Sequence, residues 1–127
     1  MSKVSILYID DDPLSHAALR EMLGYDYHLH GCTDPNEALA QALRIQPALI
    51  LLDIRMPHVD GSEVLELLKS LPGTRNIPVL AYSSNIDQGT LSELIRRGIR
   101  GVLDKTASEG ELRDSIGYAL AHPAPLY

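Results

Sequence analysis

The run Ala48-Leu49-Ile50-Leu51-Leu52-Asp53-Ile54-Arg55-Met56-Pro57-His58-Val59-Asp60-Gly61 constrains this chain more than any other stretch. Five apolar residues end in one aspartate, and Pro57 and Asp60-Gly61 follow directly, residues that turn a chain rather than extend it. Without polar alternation, the run reads as an interior strand of a parallel sheet, covered by helices on both faces. Ligands in such sheets bind at the carboxyl ends of the strands, so Asp53 stands where chemistry is expected. Taken alone, the stretch fits a helix cap or a turn aspartate equally well.

The neighbouring segments repeat the pattern. Val4 to Ile9 is β-prone and mostly apolar, and it ends in Asp10-Asp11-Asp12-Pro13. Asp12 before Pro13 is a natural cap and first helical position, with Leu14, Ala17, Ala18 and Leu23 or Met22 as the apolar face of a helix that stops at Gly24. Tyr27 to Cys32 alternates in polarity and belongs at a sheet edge, and Asp34-Pro35-Asn36-Glu37 opens a helix through about Leu43. Val64, Leu65, Leu67, Leu68 and Leu71 mark a third helix, ended by Pro72-Gly73. Ile77 to Tyr82 is a fourth strand running into Ser83 and Ser84, and a helix with Leu91, Leu94 and Ile95 ends at Gly98. Gly101 to Asp104 is a short last strand that delivers Lys105. A capping box, Ser108-Glu109-Gly110-Glu111, then starts a helix with Leu112, Ile116, Ala119 and Leu120 that stops near Pro123. Five strands alternating with five helices predict an α/β domain over residues 1–122, an open parallel sheet with helices on both faces, followed by a tail or linker start at 123–127.

A formal charge of −6 argues against a broad nucleic-acid or membrane surface, since both require clustered Lys and Arg. The single cysteine, Cys32, excludes an internal disulfide framework, fits a reducing compartment and reads as strand filling. No apolar run approaches the ~20 residues of a membrane helix, and the short start leads straight into a strand, so a cytoplasmic location is expected.

Strands one, three, four and five thus each end in a functional group at one sheet edge: Asp10 and Asp11, Asp53, Ser83, and Lys105. If the first and third strands are neighbours, three carboxylates crowd together and repel one another unless something positive intervenes. A hard divalent cation with oxygen ligands, most simply Mg²⁺, answers that need. Lys105 supplies a further fixed positive charge.

On these residues the chain resembles the receiver domain of two-component response regulators. The resemblance rests on Asp10-Asp11, on Asp53 with Met56-Pro57 and Asp60-Gly61, on Ser83 and on Lys105, in order and at family-like spacing through about Ala121. It implies a flavodoxin-like sheet in strand order 2-1-3-4-5 and a regulatory phosphoacceptor rather than an enzyme. Asp53 would take a phosphoryl group from a phosphohistidine on a sensor histidine kinase or phosphotransfer protein. Asp11 and Asp53 would bind Mg²⁺ directly, Asp10 through water, and the backbone carbonyl of Arg55 would complete the set. Lys105 would neutralise phosphoryl oxygens, and Ser83 would move toward the attached group, changing a partner-binding face. An output domain or effector protein and a homodimer belong to the implied partners, whereas direct nucleic-acid or membrane binding by this domain does not.

The chain also departs from the family pattern. Val102 stands where many receivers carry an aromatic, and Lys105-Thr106 stands where many have Lys-Pro. The run Lys105 to Ser108 is more similar to receivers of the nitrate-regulator, helix-turn-helix-linked type. Arg55 and Asn85, two positions after Asp53 and Ser83, are candidates for tuning the lifetime of an aspartyl phosphate. Bland readings hold elsewhere: Asp12 caps, Asp60 and Gly61 turn the chain, His28 and His30 are solvated edge residues, and His58 is an exposed loop residue. Two other functions compete. Asp10-x-Asp12 resembles the start of haloacid-dehalogenase-like phosphatases, with Asp10 as nucleophile, although Pro13-Leu14 replaces their Gly-Thr. A receiver-like binding module independent of phosphorylation is the third.

Overall fold

The structure, a computed structural model, describes residues 3–122, so the tail at 123–127 lies outside the described residues. Strands β1 (Val4–Ile9), β2 (Tyr27–Cys32), β3 (Leu49–Leu52), β4 (Val79–Ser83) and β5 (Gly101–Asp104) form one sheet. Their order is β2-β1-β3-β4-β5 and every pairing is parallel, the open parallel sheet expected from the alternating elements in the flavodoxin-like order that the resemblance implies. The helices are α1 (Pro13–Leu23), α2 (Ala38–Ile45), α3 (Gly61–Ser70), α4 (Gln88–Arg96) and α5 (Glu109–Ala121).

Each sheet face carries its own core. Leu7, Ile9, Ile50 and Leu52 meet Ala42, Leu65, Leu68 and Leu94 from α2, α3 and α4. On the other face Ile6, Tyr8, Leu49, Leu51, Leu80 and Tyr82 meet Leu19, Leu23, Leu112 and Ile116 from α1 and α5. Every residue of β3 and β4 is buried, which is why those strands show no polar alternation. Each fully buried Leu or Ile contributes about 1.5–3 kcal/mol relative to exposure, so the two faces together supply most of the favourable term in folding. β2 lies at the edge, and only Cys32 among its residues is buried, as its alternating sequence predicts.

Several expectations are corrected. The inward face of α1 is His16, Leu19 and Leu23, whereas Leu14 is 79% exposed and Ala17 and Ala18 face outward. The apolar face read from the sequence is therefore out of phase at its start, because a histidine occupies the innermost position of the first turn. Leu67 and Ile95 are likewise on outer surfaces of their helices, and Leu71 is the exposed, extended C-cap that follows α3. The Pro35–Glu37 segment is a 3-10 turn capped by Asp34, and α2 begins only at Ala38, with no side-chain cap from Glu37. β4 begins at Val79 rather than Ile77, since Ile77 N closes a turn onto Thr74 O and Pro78 has no N–H to give to a ladder. The capping box at Ser108 and Glu111 forms as read, with both reciprocal bonds present.

Candidate functional site

Backbone bonds just beyond the strand ends bring the acids together. Asp53 N donates to Ile9 O at 2.9 Å and Asp10 N donates to Cys32 O at 3.1 Å, so Asp10 and Asp53 stand side by side at the carboxyl edge. Asp10 is fully buried, Asp53 is 4% exposed, and Asp11 is half-buried beside them. One carboxylate oxygen from each of the three lies within 4.8 Å of the others. Ser83, at the end of β4, donates through Oγ to Asp53 Oδ1 at 2.7 Å and accepts from Ile54 N at 3.4 Å. Lys105, one residue past β5, donates through Nζ to Asp10 Oδ2 at 2.7 Å and to Ser15 Oγ at 3.1 Å, and lies 3.7 Å from Asp53 Oδ2.

Three carboxylates thus face one ammonium group. Burial pushes the Asp53 carboxyl above its ordinary range and the charge on Asp10 adds to that push, while the hydrogen bond from Ser83 and the charge on Lys105 oppose it. Burial acts on Asp10 in the same direction, but the bonds from Lys105, Tyr8 and Asp12 N outweigh it and hold that carboxyl below its ordinary value. Lys105 is drawn down by burial and, more strongly, up by Asp10 and Asp53, so its net shift is upward. One buried acid is thereby fixed as an anion by three donors, and its neighbour keeps a less solvated, less stabilised charge.

That arrangement suits a hard cation. The donor set is oxygen only and contains no thiol or imidazole within the cluster, which is the chemistry of Mg²⁺ or Ca²⁺ rather than Zn²⁺. Compensation by Lys105 is incomplete, so a divalent ion would relieve the repulsion that remains.

The other flagged residues sort cleanly. Asp12 caps α1, accepting from Leu14 N at 3.0 Å, and Asp60 caps α3, accepting from Ser62 N at 2.9 Å. His58 is exposed. His28 and His30 project from one side of the edge strand with ring centroids 4.4 Å apart. Arg55 is close to Asp53 only through its backbone N, 3.4 Å from Oδ1. Its guanidinium turns to the β4–α4 loop, donating to Asn85 O at 2.7 Å and lying 3.6 Å from Asp87. Asn85 holds a left-handed backbone (φ 54°), a conformation asparagine tolerates better than most residues.

Three neighbours escape a reading of the sequence. Tyr8 OH donates to Asp10 Oδ2 at 2.5 Å, His16 Nε2 bonds the Asp10 carbonyl at 2.7 Å, and Ser15 accepts from Lys105. The period of two in a strand puts Tyr8 on the same side as Asp10, and that was the available signal.

The family profile of the response regulator receiver domain matches residues 6–117. The chain is 30% identical over 117 residues to the signal transduction histidine-protein kinase BarA of Shigella flexneri, covering 89% of this chain and 12% of that protein. It is 31% identical over 122 residues to the transcriptional regulatory protein ZraR of Salmonella typhimurium, covering 94% of this chain and 27% of that one. It therefore spans only a minor part of either relative. Among solved structures, the receiver domain of a Pseudomonas aeruginosa sensor histidine kinase, which has a magnesium ion coordinated in its active-site cleft, superposes with a TM-score of 0.85 at 24% identity. That alignment covers 94% of this chain and 99% of the other, a likeness of fold. Fold, strand-end acids and profile agree: the chain belongs to the response regulator receiver domain family of two-component signalling.

Proposed function

We propose that Asp53 is the phosphoacceptor of this receiver, taking a phosphoryl group from a phosphohistidine on a sensor histidine kinase or a phosphotransfer protein. An Asp53 carboxylate oxygen forms the new bond to phosphorus, the bond from phosphorus to the imidazole nitrogen breaks, and its electron pair stays with the imidazole. The observation that carries this reading is the setting of Asp53: buried to 4% exposure, bonded by Ser83 and 3.7 Å from Lys105. Asp10, Asp11, Asp53 and the carbonyl of Arg55 would hold Mg²⁺, which supplies positive charge to phosphoryl oxygens when bound. Lys105 supplies the protein's own positive charge, and the Ser83 hydroxyl, now donating to Asp53, is placed to donate to the group that replaces its partner.

The output follows from Ser83. Its movement changes the end of β4, and the adjoining loop is tied down by Arg55 to Asn85 and by Asn85 N to Asp104 Oδ2 at 3.4 Å. Altered ties there bias the start of α4 between two arrangements and so modify the face that meets an effector, an attached output domain or a second copy. The chain acts as a switch in the cytoplasm and turns over no substrate beyond its own phosphorylation and dephosphorylation. Attachment to a helix-turn-helix output of the nitrate-regulator type is the finer reading, supported by Lys105 to Ser108. Asp10 is the poorer nucleophile, since its oxygens already accept from Tyr8, Lys105 and Asp12 N.

The test is incubation with Mg²⁺ and acetyl phosphate, followed by intact-mass measurement and mapping of the adduct. A phosphoryl adduct at Asp53, absent in Asp53→Asn and without Mg²⁺, is expected. An adduct at Asp10 would favour the phosphatase chemistry, and no adduct at all would favour an inert binding module.

A further inference from the structure

Beneath the carboxylates lies a layer to which the switch reading gives no task. Tyr8 is 1% exposed, and its phenol donates to Asp10 Oδ2 at 2.5 Å. The same oxygen accepts from Lys105 Nζ at 2.7 Å, while Oδ1 accepts from Asp12 N at 2.9 Å. The Tyr8 ring is fixed by its neighbours, with centroids 4.6 Å from His16 and 6.1 Å from Tyr82. His16 is itself pinned, through Nε2 to the Asp10 carbonyl and by Gly31, where an added Cβ would come within 2.8 Å of Nδ1. The ring is thereby held with its hydroxyl on Asp10, and Ser15, which accepts from Lys105, stands beside it.

Lys105 must serve two carboxylates in turn. In this state it sits closer to Asp10 (2.7 Å) than to Asp53 (3.7 Å), and an incoming phosphoryl group on Asp53 requires its charge there. When Lys105 turns away, Asp10 Oδ2 loses a charge-assisted bond in a place sealed from water. A buried carboxylate stripped of a donor is far costlier than one that keeps a partner. We propose that Tyr8 is a positioning residue of this site, the standing donor to Asp10 that frees Lys105 to move to the phosphoryl group. The proposal rests on Asp53 being the phosphoacceptor. Phenylalanine would fill the same space against His16 and Tyr82, so the hydroxyl is what the proposal concerns. Without it, Asp10 depends on Lys105 and holds it back.

The experiment uses the full chain with Tyr8→Phe. Acetyl phosphate is the donor, and adduct formation at Asp53 is followed over a range of donor concentrations at saturating Mg²⁺. Binding of Mg²⁺ to the unphosphorylated protein is measured separately by calorimetry. The maximal rate is expected to fall about tenfold, the fold-change equivalent to losing one weak charge-assisted hydrogen bond. The half-saturating donor concentration should stay put, and Mg²⁺ should bind no more weakly than to the wild type, because Asp10 has lost only a competitor for its lone pairs. In a Lys105→Gln background the same substitution should change nothing further, since no ammonium remains to be released. A wild-type rate in Tyr8→Phe overturns the proposal, as does a fall in Mg²⁺ affinity matching the fall in rate, which would mark general damage to the site. If the wild type itself forms no adduct at Asp53, the phosphoacceptor reading fails instead, and that result is distinct from both.

Discussion

The turn that follows Asp53 permits a sharp calculation at Gly61. The loop folds back so that Arg55 and Asp60 form an isolated antiparallel bridge, and Gly61 N donates to Ile54 O at 3.0 Å. A Cβ at Gly61 would collide with the carbonyl oxygen of Asp53 and lie 2.5 Å from Ile54 Cα, where ordinary contact is 3.4–4 Å. Both neighbours are backbone, so neither can rotate aside. Gly61→Ala must therefore open the loop by roughly 1 Å, at an overpacking cost of about 1–3 kcal/mol. Stretching the Gly61 to Ile54 bond adds about 1 kcal/mol, giving about 2–4 kcal/mol in all. With a urea m-value of about 2 kcal/mol/M for a domain of this size, the unfolding midpoint should drop by about 1–2 M. The control lies in α5: an added Cβ at Gly117 meets nothing within 4 Å, so Gly117→Ala should raise stability by about 0.5–1 kcal/mol through helix propensity alone. Urea unfolding followed by far-ultraviolet circular dichroism measures both. A Gly61→Ala midpoint equal to wild type, or shifted upward like that of Gly117→Ala, would refute the reasoning.

Other consequences follow from single contacts. Lys105→Met leaves the buried Asp10 without its ammonium partner and should destabilise the metal-free protein by about 1.5–3 kcal/mol, with part of the loss recovered on adding millimolar Mg²⁺; urea midpoints with and without EDTA report it. Ser108→Ala removes the capping box of α5 and should cost about 1 kcal/mol, read as a lower thermal midpoint. Lys69 is drawn down from 10.5 to about 8, first by burial and then by Arg100. The folded state then binds fewer protons than the unfolded chain between those values, so this group's contribution to stability rises as pH climbs from about 8 toward 10.5. Comparing urea midpoints of wild type and Lys69→Met at pH 7 and 9.5 should show a pH-dependent gap, and parallel curves would exclude the effect.

The parts legible from sequence are those in which local pattern and global fold agree. Asp53 and Lys105 stand out only together with Asp10, Asp11 and Ser83, because each alone fits a cap or a turn while four strands delivering such groups to one edge do not. Alternation and the handedness of the crossovers lead to a parallel sheet covered on both faces, whereas the order 2-1-3-4-5 is what the resemblance to receivers implies. The phase of α1 is not legible at its start for a physical reason: His16 is polar by composition yet buried, because its ring nitrogen bonds the Asp10 carbonyl while its ring lies 4.6 Å, centroid to centroid, from that of Tyr8. Tyr8 reads as one more apolar strand residue, since hydrophobic patterning registers its ring and is blind to where its hydroxyl ends. The direction of the Arg55 guanidinium is equally invisible, being set by Asn85 and Asp87 some thirty positions away in the chain.

The pairing of β1 with β3 has one more consequence. Neighbouring parallel strands are spaced about 4.8 Å apart by their ladder bonds, whatever side chains they carry. Asp10 and Asp53 are the next rungs after Ile9 and Leu52, so the gap across which they face each other is inherited from that spacing. The sheet works as a ruler. Loops around the cleft can lengthen, shorten or change partners, and the span offered to an ion or a phosphorus atom stays the same.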